Sequence, residues 1–165
     1  MPYFLDANCF KKYIDETLHD STGDYSAVVS YILKEDMLTV DDEGIFVQEW
    51  KQTTGGAYNP FVDDLISSWL AEGRITLSEF KRDVKVKRKL QQQGIPSIDA
   101  RIVEFCAGAG VSTIVSEDID LYEPTQKQCS PQKRKKYVCN KMGSAVRFIR
   151  KQFHIEVTCC CHFAP

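Results

Sequence analysis

The spacing of apolar residues predicts a chain in which short strands alternate with amphipathic helices. The apolar run Tyr3-Phe4-Leu5 indicates a buried strand that ends at Asp6. Because acidic residues favour the first turn of a helix, we expect one helix to begin at Asp41, and Ser78 is a candidate cap for a basic helix. Apolar residues three and four positions apart predict helices over about 7–18, 25–36, 41–52, 61–72, 79–93, 97–107 and 142–152.

The stretches between these helices are predicted to be strands or loops. Residues 37–40 and 112–115 are short apolar runs typical of buried strands, and 153–157 is the expected last strand. Residues 74–77 are predicted to be an extended link, and 125–136 a mobile, polar basic loop. A helix followed by a short buried strand implies an α/β fold with a mostly parallel sheet. We expect one domain over residues 1–165.

Composition indicates an ordinary soluble domain. Of the 165 residues, 43% are hydrophobic and 27% are charged, as in globular proteins with a substantial core. No apolar run approaches the roughly 18 residues of a membrane span. Met1 to Asp6 lack the basic and long apolar segments of a signal peptide. We therefore expect a cytoplasmic protein.

The seven cysteines are expected to be reduced thiols. Their odd number, the adjacent Cys159-Cys160-Cys161 and the expected compartment argue against a disulfide framework. The alternative is zinc binding by this Cys-rich tail and His162, together with Cys129 and Cys139. Paired C-x-x-C motifs are missing, and neighbouring cysteines in a strand point to opposite faces. Buried or tail thiols are therefore the favoured interpretation.

The two halves of the chain carry opposite charge. Residues 1–80 have 15 acidic and 5 basic side chains, a net of −10, and residues 81–165 have 8 acidic and 16 basic, a net of +8. An acidic site beside a basic surface would suit a polyanion whose phosphates are bridged to carboxylates by metal ions. The alternative is a domain whose halves neutralise each other without any ligand.

Four carboxylates occupy positions typical of a metal site in an α/β sheet. Asp6 and Asp118 follow apolar strands, where ligands of such sheets gather, and Asp99 begins the helix that leads into the strand before Asp118. Glu49 lies in a helix, off its apolar face. Converging carboxylates repel one another unless a hard cation such as Mg²⁺ or Mn²⁺ binds them. Such a cation activates water for phosphodiester hydrolysis.

Each acid also has an interpretation that needs no ligand. Asp6 could cap a helix, and Asp99 could interact with the helix dipole. Asp118 and Asp120 could form an Asx turn. Glu49 could be a solvated helical residue. The four acids together, rather than any one of them, indicate a site.

The order of these acids resembles that of the PIN-domain family, over nearly the whole chain. This resemblance implies a three-layer α/β/α nuclease with a central parallel sheet, which acts on RNA with Mg²⁺ or Mn²⁺. The motifs of the family are an Asp closing the first strand, a helical Glu, an Asp opening the helix before the fourth strand, and a Thr/Ser-x-Asp turn after it. The matching segments are Phe4-Leu5-Asp6-Ala7-Asn8, Phe46-Val47-Gln48-Glu49-Trp50, Asp99-Ala100-Arg101-Ile102-Val103, and 114–122 with Ser116-Glu117-Asp118-Ile119-Asp120.

The resemblance also implies a role for each matching residue. Asp120 becomes an additional ligand, Ser116 supports the acidic turn, and Asn8 matches a polar residue near the first Asp. Glu43 is the alternative to Glu49 as the helical ligand, and Glu117 has no assignable role. The implied catalytic metal ligands are Asp6, Glu49, Asp99 and Asp118.

Two basic stretches depart from the family pattern. The helix with Lys81 to Lys89 is interpreted as a solvated face. The loop residues Lys133, Arg134, Lys135 and Lys136 are predicted to bind nucleic acid or an acidic partner such as an antitoxin.

The sequence thus predicts a metal-dependent endoribonuclease, of the kind found as the toxin of a toxin–antitoxin or defence pair. The resemblance implies an inhibitory protein partner and a homodimer. The alternative is a non-catalytic PIN-like module that binds RNA or protein. A phospho-acceptor receiver domain is disfavoured, because Ala7 and Asn8 stand where a second acid would follow Asp6 and no acceptor strand is present.

Overall fold

The computed structural model describes residues 1–163, which form a parallel sheet with helices packed on it. The strands are β1 (Pro2–Leu5), β2 (Met37–Asp41), β3 (Ile75–Ser78), β4 (Thr113–Val115) and β5 (Glu156–Thr158). The α-helices are α1 (Ala7–Leu18), α2 (Asp24–Glu35), α3 (Ile45–Thr54), α4 (Asn59–Ala71), α5 (Val84–Gln92), α6 (Ser97–Ala109), α7 (Pro131–Cys139) and α8 (Ser144–Phe153). Short 3₁₀ turns lie at Gly56–Tyr58, Ile119–Leu121, Pro124–Gln126 and Cys160–His162.

The sheet has the strand order β3-β2-β1-β4-β5, and every neighbouring pair is parallel. In the central strand β1, Tyr3 lies opposite Leu38 of β2 and Thr113 of β4. Phe4 and Leu5 are fully buried, as expected for a strand with helices over both faces. The predicted three-layer α/β/α architecture with a parallel sheet is confirmed.

An aromatic contact holds α3 against the carboxyl end of β1. The rings of Phe10 and Trp50 stack with their centroids 4.5 Å apart. The indole N–H of Trp50 donates a hydrogen bond of 2.9 Å to the carbonyl of Leu5. Because Glu49 precedes Trp50 and Asp6 follows Leu5, this hydrogen bond brings the two acidic positions to the same edge of the sheet.

The predicted start of a helix at Asp41 is wrong. Asp41 is the last residue of β2, and α3 begins at Ile45. The buried Asp41 carboxylate accepts hydrogen bonds from the backbone N–H of Ile45 at 2.9 Å and of Phe46 at 3.0 Å. It therefore satisfies the free donors at the start of α3 from outside the helix.

One prediction between 74 and 93 is incomplete and one is wrong. Residues 75–77 are extended as predicted, but they pair with β2 and form the edge strand β3, in which Ile75 is buried and Leu77 is exposed. Ser78 belongs to this strand and does not cap the basic helix. Asp83 caps it instead, because its carboxylate accepts hydrogen bonds from the backbone N–H groups of the first turn, so α5 begins at Val84.

The predicted mobile loop at 125–136 contains the start of a helix. Helix α7 begins at Pro131, and the Ser130 hydroxyl accepts a hydrogen bond of 3.3 Å from the backbone N–H of Lys133. A serine cap followed by proline is a strong helix start. The basic residues 133–136 therefore lie on a helix. The last strand begins at Glu156, because His154 ends α8 in a left-handed conformation with φ of 56°.

Candidate metal centre

The sheet places two predicted acids beside each other. β1 and β4 are neighbours in register, with Leu5 opposite Val115. The chain leaves β1 at Asp6 and leaves β4 at Ser116, at the same edge of the sheet. Asp118 follows two residues later. The carboxyl ends of these strands form the crevice in which ligands of open α/β sheets bind.

Asp6 is held in place on both sides of its carboxylate. Its Oδ1 accepts a hydrogen bond of 2.7 Å from the backbone N–H of Ala7, and its Oδ2 accepts one of 2.6 Å from the Ser116 hydroxyl. Asp6 therefore caps α1, which is the ligand-free role considered for it, and Asn8 lies within the helix. Burial, together with the charge of Asp118, raises the pKa of Asp6 to about 6.

Ser116 joins Asp6 to the acidic turn. Its hydroxyl donates to Asp6 and accepts a hydrogen bond of 3.1 Å from the backbone N–H of Asp118. The Tyr122 hydroxyl donates to the Ser116 carbonyl at 2.7 Å. Oδ1 of Asp118 accepts from the backbone N–H of Asp120 at 3.0 Å, which is the Asx turn considered as the alternative. The turn is thus fixed, and the second oxygen of Asp118 is left for another partner.

Asp99, Asp118 and Asp120 form an acidic cluster that could hold a metal ion. Each has a carboxylate oxygen within 4.8 Å of the other two. Asp99 lies in the first turn of α6, where the positive end of the helix dipole favours an acid. Burial, followed by the charges of Asp118, Asp120 and Asp6, nevertheless raises the pKa of Asp99 to about 7. The negative charge of the cluster therefore outweighs the opposing charge of Lys127, which lowers the pKa of Asp99 only in part.

One cation of the chain already contacts this cluster. Lys127, which the sequence did not single out, places its Nζ 3.0 Å from Oδ2 of Asp120. Asp120 is only 4% exposed, and its Oδ1 has no hydrogen-bond partner among residues 1–163. A buried carboxylate oxygen without a partner is energetically costly, and a bound cation would remove that cost.

Glu49 is outside the cluster, near enough to Asp6 to affect its pKa, and is paired with an arginine. Its carboxylate forms an ion pair with Arg101, two residues after Asp99 on α6. Burial raises the pKa of Glu49, and Arg101 opposes this effect. The charge of Glu49 contributes to the raised pKa of Asp6. Glu43 instead pairs with Arg82 on the exposed surface, where this partner lowers its pKa.

A groove next to the acidic turn carries basic side chains. Its lining includes Asp118, the basic residues Lys11, Lys12 and Arg134, and the predicted supporting residue Asn8. Of the four predicted nucleic-acid-binding residues, Arg134 lines this groove and Lys135 lines the adjacent pocket. Lys133 and Lys136 line neither.

Glu117 has a role that the sequence did not indicate. Its carboxylate accepts hydrogen bonds from Lys12 Nζ at 2.6 Å and from the Tyr25 hydroxyl at 2.8 Å. It therefore ties α1 and α2 to the loop after β4. Neither Lys12 nor Tyr25 is near Glu117 in the sequence, so spacing alone carried no signal of this contact.

Comparison with known proteins does not identify a family for this chain. No protein-family model, curated protein or solved structure matches the chain. Within residues 1–163, no helix is both long and apolar enough to cross a membrane.

Proposed function

We propose that this protein is a divalent-metal-dependent endoribonuclease of the PIN-like kind, which hydrolyses phosphodiester bonds in RNA. The observation that carries the proposal is the convergence of Asp99, Asp118 and Asp120, with carboxylate oxygens within 4.8 Å of one another. The raised pKa of Asp99 and the unpartnered Oδ1 of Asp120 both indicate a need for positive charge.

The donor set fits Mg²⁺ or Mn²⁺. Both cations prefer carboxylate oxygens and keep several water molecules, so three acids at an open edge of the sheet suit them. Asp99, Asp118 and Asp120 would hold the ion, with Asp6 beside them through Ser116. When bound, the cation supplies Lewis-acid activation of the phosphodiester and of the attacking water.

The side chains around the acids would hold the substrate. Lys11 and Arg134 line the groove beside Asp118 and provide positive charge for the phosphates of a polyanion. Lys127 pairs with Asp120 through an exposed ammonium group, so it can exchange this partner for a phosphate when a metal ion neutralises the acid. Asp6 and Ser116 position the acidic turn.

The resemblance extends the proposal to partners and location. We propose a cytoplasmic protein that acts on RNA as a toxin or defence nuclease, with an inhibitory protein partner and with homodimer formation. The exposed basic residues of α7 are the surface we assign to an acidic partner, because Lys133 and Lys136 lie outside the groove beside Asp118.

A second candidate is a PIN-like module that binds RNA or protein without cleaving it. Two ion pairs favour it, because Arg101 neutralises Glu49 and Lys127 neutralises part of Asp120. In addition, Asp6 and Asp118 have structural roles as a helix cap and an Asx turn. RNA binding that needs no divalent cation, in the absence of cleavage, would favour this second candidate.

Cleavage of a labelled single-stranded RNA by the purified protein tests the proposal. We expect cleavage with Mn²⁺ or Mg²⁺ and none with EDTA. Asp118→Asn keeps an acceptor for the backbone N–H of Asp120 but removes a charged ligand. It should lower the rate of cleavage by more than about 100-fold, since replacing even a residue that only hydrogen-bonds a metal ligand lowers metal affinity or activity by about 10–100-fold. Asp64→Asn, at an exposed position of α4, is the matched control and should cleave like the wild type.

Cleavage that persists in EDTA, or that is equal in Asp118→Asn and the wild type, would reject the metal-site assignment. Glu49→Gln and Glu43→Gln form a second matched pair, since both acids pair with an arginine. If Glu49 takes part in catalysis, its variant loses cleavage and the Glu43 variant keeps it. The reverse result would assign the helical role to Glu43.

A further inference from the structure

A second cluster of metal-binding side chains lies away from the carboxylates. Cys139, at the end of α7, and Cys159 and His162, in the C-terminal segment, each place one ligand atom within 4.8 Å of the other two. The Sγ of Cys159 and the Nδ1 of His162 are 3.8 Å apart. Cys139 lies twenty positions or more before the other two residues in the sequence, so only the fold brings it to them.

The separations agree with a tetrahedral zinc site. Zinc–sulfur bonds of about 2.3 Å and zinc–nitrogen bonds of about 2.0 Å place tetrahedral S and N ligands about 3.5 Å apart, and two S ligands about 3.8 Å apart. The distance of 3.8 Å between Cys159 and His162 needs a shift of only a few tenths of an ångström. The missing C-x-x-C pairs are therefore no obstacle, because the 3₁₀ turn at Cys160–His162 brings His162 back towards Cys159.

The donor types separate this cluster from the acidic one. Two thiols and an imidazole are soft and borderline ligands, which select zinc over Mg²⁺ or Mn²⁺. Asp99, Asp118 and Asp120 offer only hard oxygen ligands. The two clusters are therefore expected to bind different metal ions.

We propose that Cys139, Cys159 and His162 bind one Zn²⁺ ion, which fastens the end of α7 to the C-terminal segment. Of these three residues, Cys139 also lines a pocket together with Cys161 and Glu117, which is the side from which we expect the fourth ligand. Cys161 is exposed, and its Sγ lies 4.0 Å from Oε1 of Glu117, so a thiolate or a water molecule can complete the site. This proposal does not depend on the ribonuclease activity.

The proposed site has a consequence for the basic groove. Helix α7 carries Arg134, which lines the groove beside Asp118, five residues before Cys139. α7 buries little of its own surface, and Val138 is its buried apolar residue. A zinc ion at its end would fix the position of Arg134 relative to the carboxylates. With Cys161 as the fourth ligand the site would be closed by protein side chains, as structural zinc sites are.

Zinc content and Co²⁺ spectra of the full chain test the proposal. The protein is purified with a reductant, loaded with one equivalent of Zn²⁺ in excess Mg²⁺, and dialysed. We expect one zinc per chain, and we expect Co²⁺ to give the intense visible bands of a tetrahedral site with a sulfur-to-metal charge-transfer band. The intensity of that band increases with the number of thiolates, so it shows whether Cys161 is a ligand.

The variants that test the ligands replace side chains outside the core, so that the fold is retained. His162→Ala alters an exposed side chain, and Cys139→Ser a half-buried one. Each should weaken zinc binding by about 10-fold or more, whereas Cys129→Ser, also half-buried but outside the cluster, should bind like the wild type. Asp118→Asn should also retain its zinc, which separates this site from the acidic cluster.

Three results would overturn the proposal. The first is a wild-type protein without stoichiometric zinc, and the second is zinc binding that is unchanged in both His162→Ala and Cys139→Ser. The third is a disulfide between Cys139 and Cys159, found by mass spectrometry in protein isolated without reductant, in place of bound zinc. That result would assign the cluster to thiol oxidation.

Discussion

Replacing Asp99 by Asn tests the electrostatics of the acidic cluster without any metal. Burial and the charges of Asp118 and Asp120 raise the pKa of Asp99 from 3.8 to about 7. Since one pKa unit corresponds to about 1.4 kcal/mol, keeping Asp99 ionised at pH 8 destabilises the fold by on the order of 4 kcal/mol. Partial solvent access at Asp99 screens these charges and lowers the effect to roughly 2–3 kcal/mol.

The sign of the effect follows from where the proton is held. The folded chain keeps the Asp99 proton up to about pH 7, whereas the unfolded chain loses it near pH 4. Protonation therefore stabilises the folded form at low pH, and this contribution is lost as the pH rises from about 4 to about 7. Because Asn cannot ionise, Asp99→Asn should raise the free energy of unfolding at pH 8 by roughly 2–3 kcal/mol, and by less than about 1 kcal/mol at pH 4.

Urea unfolding followed by tryptophan fluorescence, in EDTA at pH 4 and pH 8, measures this difference. Asp64→Asn on the exposed face of α4 is the control and should match the wild type at both pH values. Mn²⁺ at pH 8 should stabilise the wild type and leave Asp99→Asn nearly unchanged, since binding to the folded state alone adds to its stability. An Asp99→Asn variant that is equally or less stable than the wild type at pH 8 in EDTA would refute the reasoning.

Three further substitutions test the contacts around the cluster. Ser116→Ala removes the hydroxyl between Asp6 and Asp118, so urea unfolding should show a free energy of unfolding lower by about 1–3 kcal/mol. A Mn²⁺ titration of this variant should show binding weakened by about 10-fold or more. Lys127→Met removes a competing cation from Asp120, so calorimetry should show Mn²⁺ binding up to about 5-fold tighter; weaker binding would contradict the account. Asp41→Ala leaves the start of α3 uncapped, so thermal or urea unfolding should show a free energy of unfolding lower by about 1–3 kcal/mol. Unchanged stability would contradict this role of Asp41.

The sequence predicted the inner strands better than the edge of the sheet. β1 and β4 lie between two strands and under helices on both faces, so their runs are almost entirely apolar. β3 lies at the edge of the sheet, where one buried position, Ile75, leaves little pattern to detect. Helix α7 was missed for a similar reason, since it buries little more than Val138. The Ser130-Pro131 start was the available signal.

The candidate site could be predicted only as far as local structure determines it. Asp6 and Asp118 were found because acids that follow buried strands must lie at the same edge of a parallel sheet. The partners Lys127 and Arg101 were not found, because an ion pair between distant segments leaves no mark in local spacing. The same holds for Glu117, whose partners come from α1 and α2.

Anomalous diffraction from crystals soaked in Mn²⁺ tests the central claim most directly. The account predicts one strong manganese peak bound by the carboxylates of Asp99, Asp118 and Asp120, with the Nζ of Lys127 moved away from Asp120. A fully soaked crystal without manganese at these three carboxylates, or with its manganese only at other residues, would contradict it.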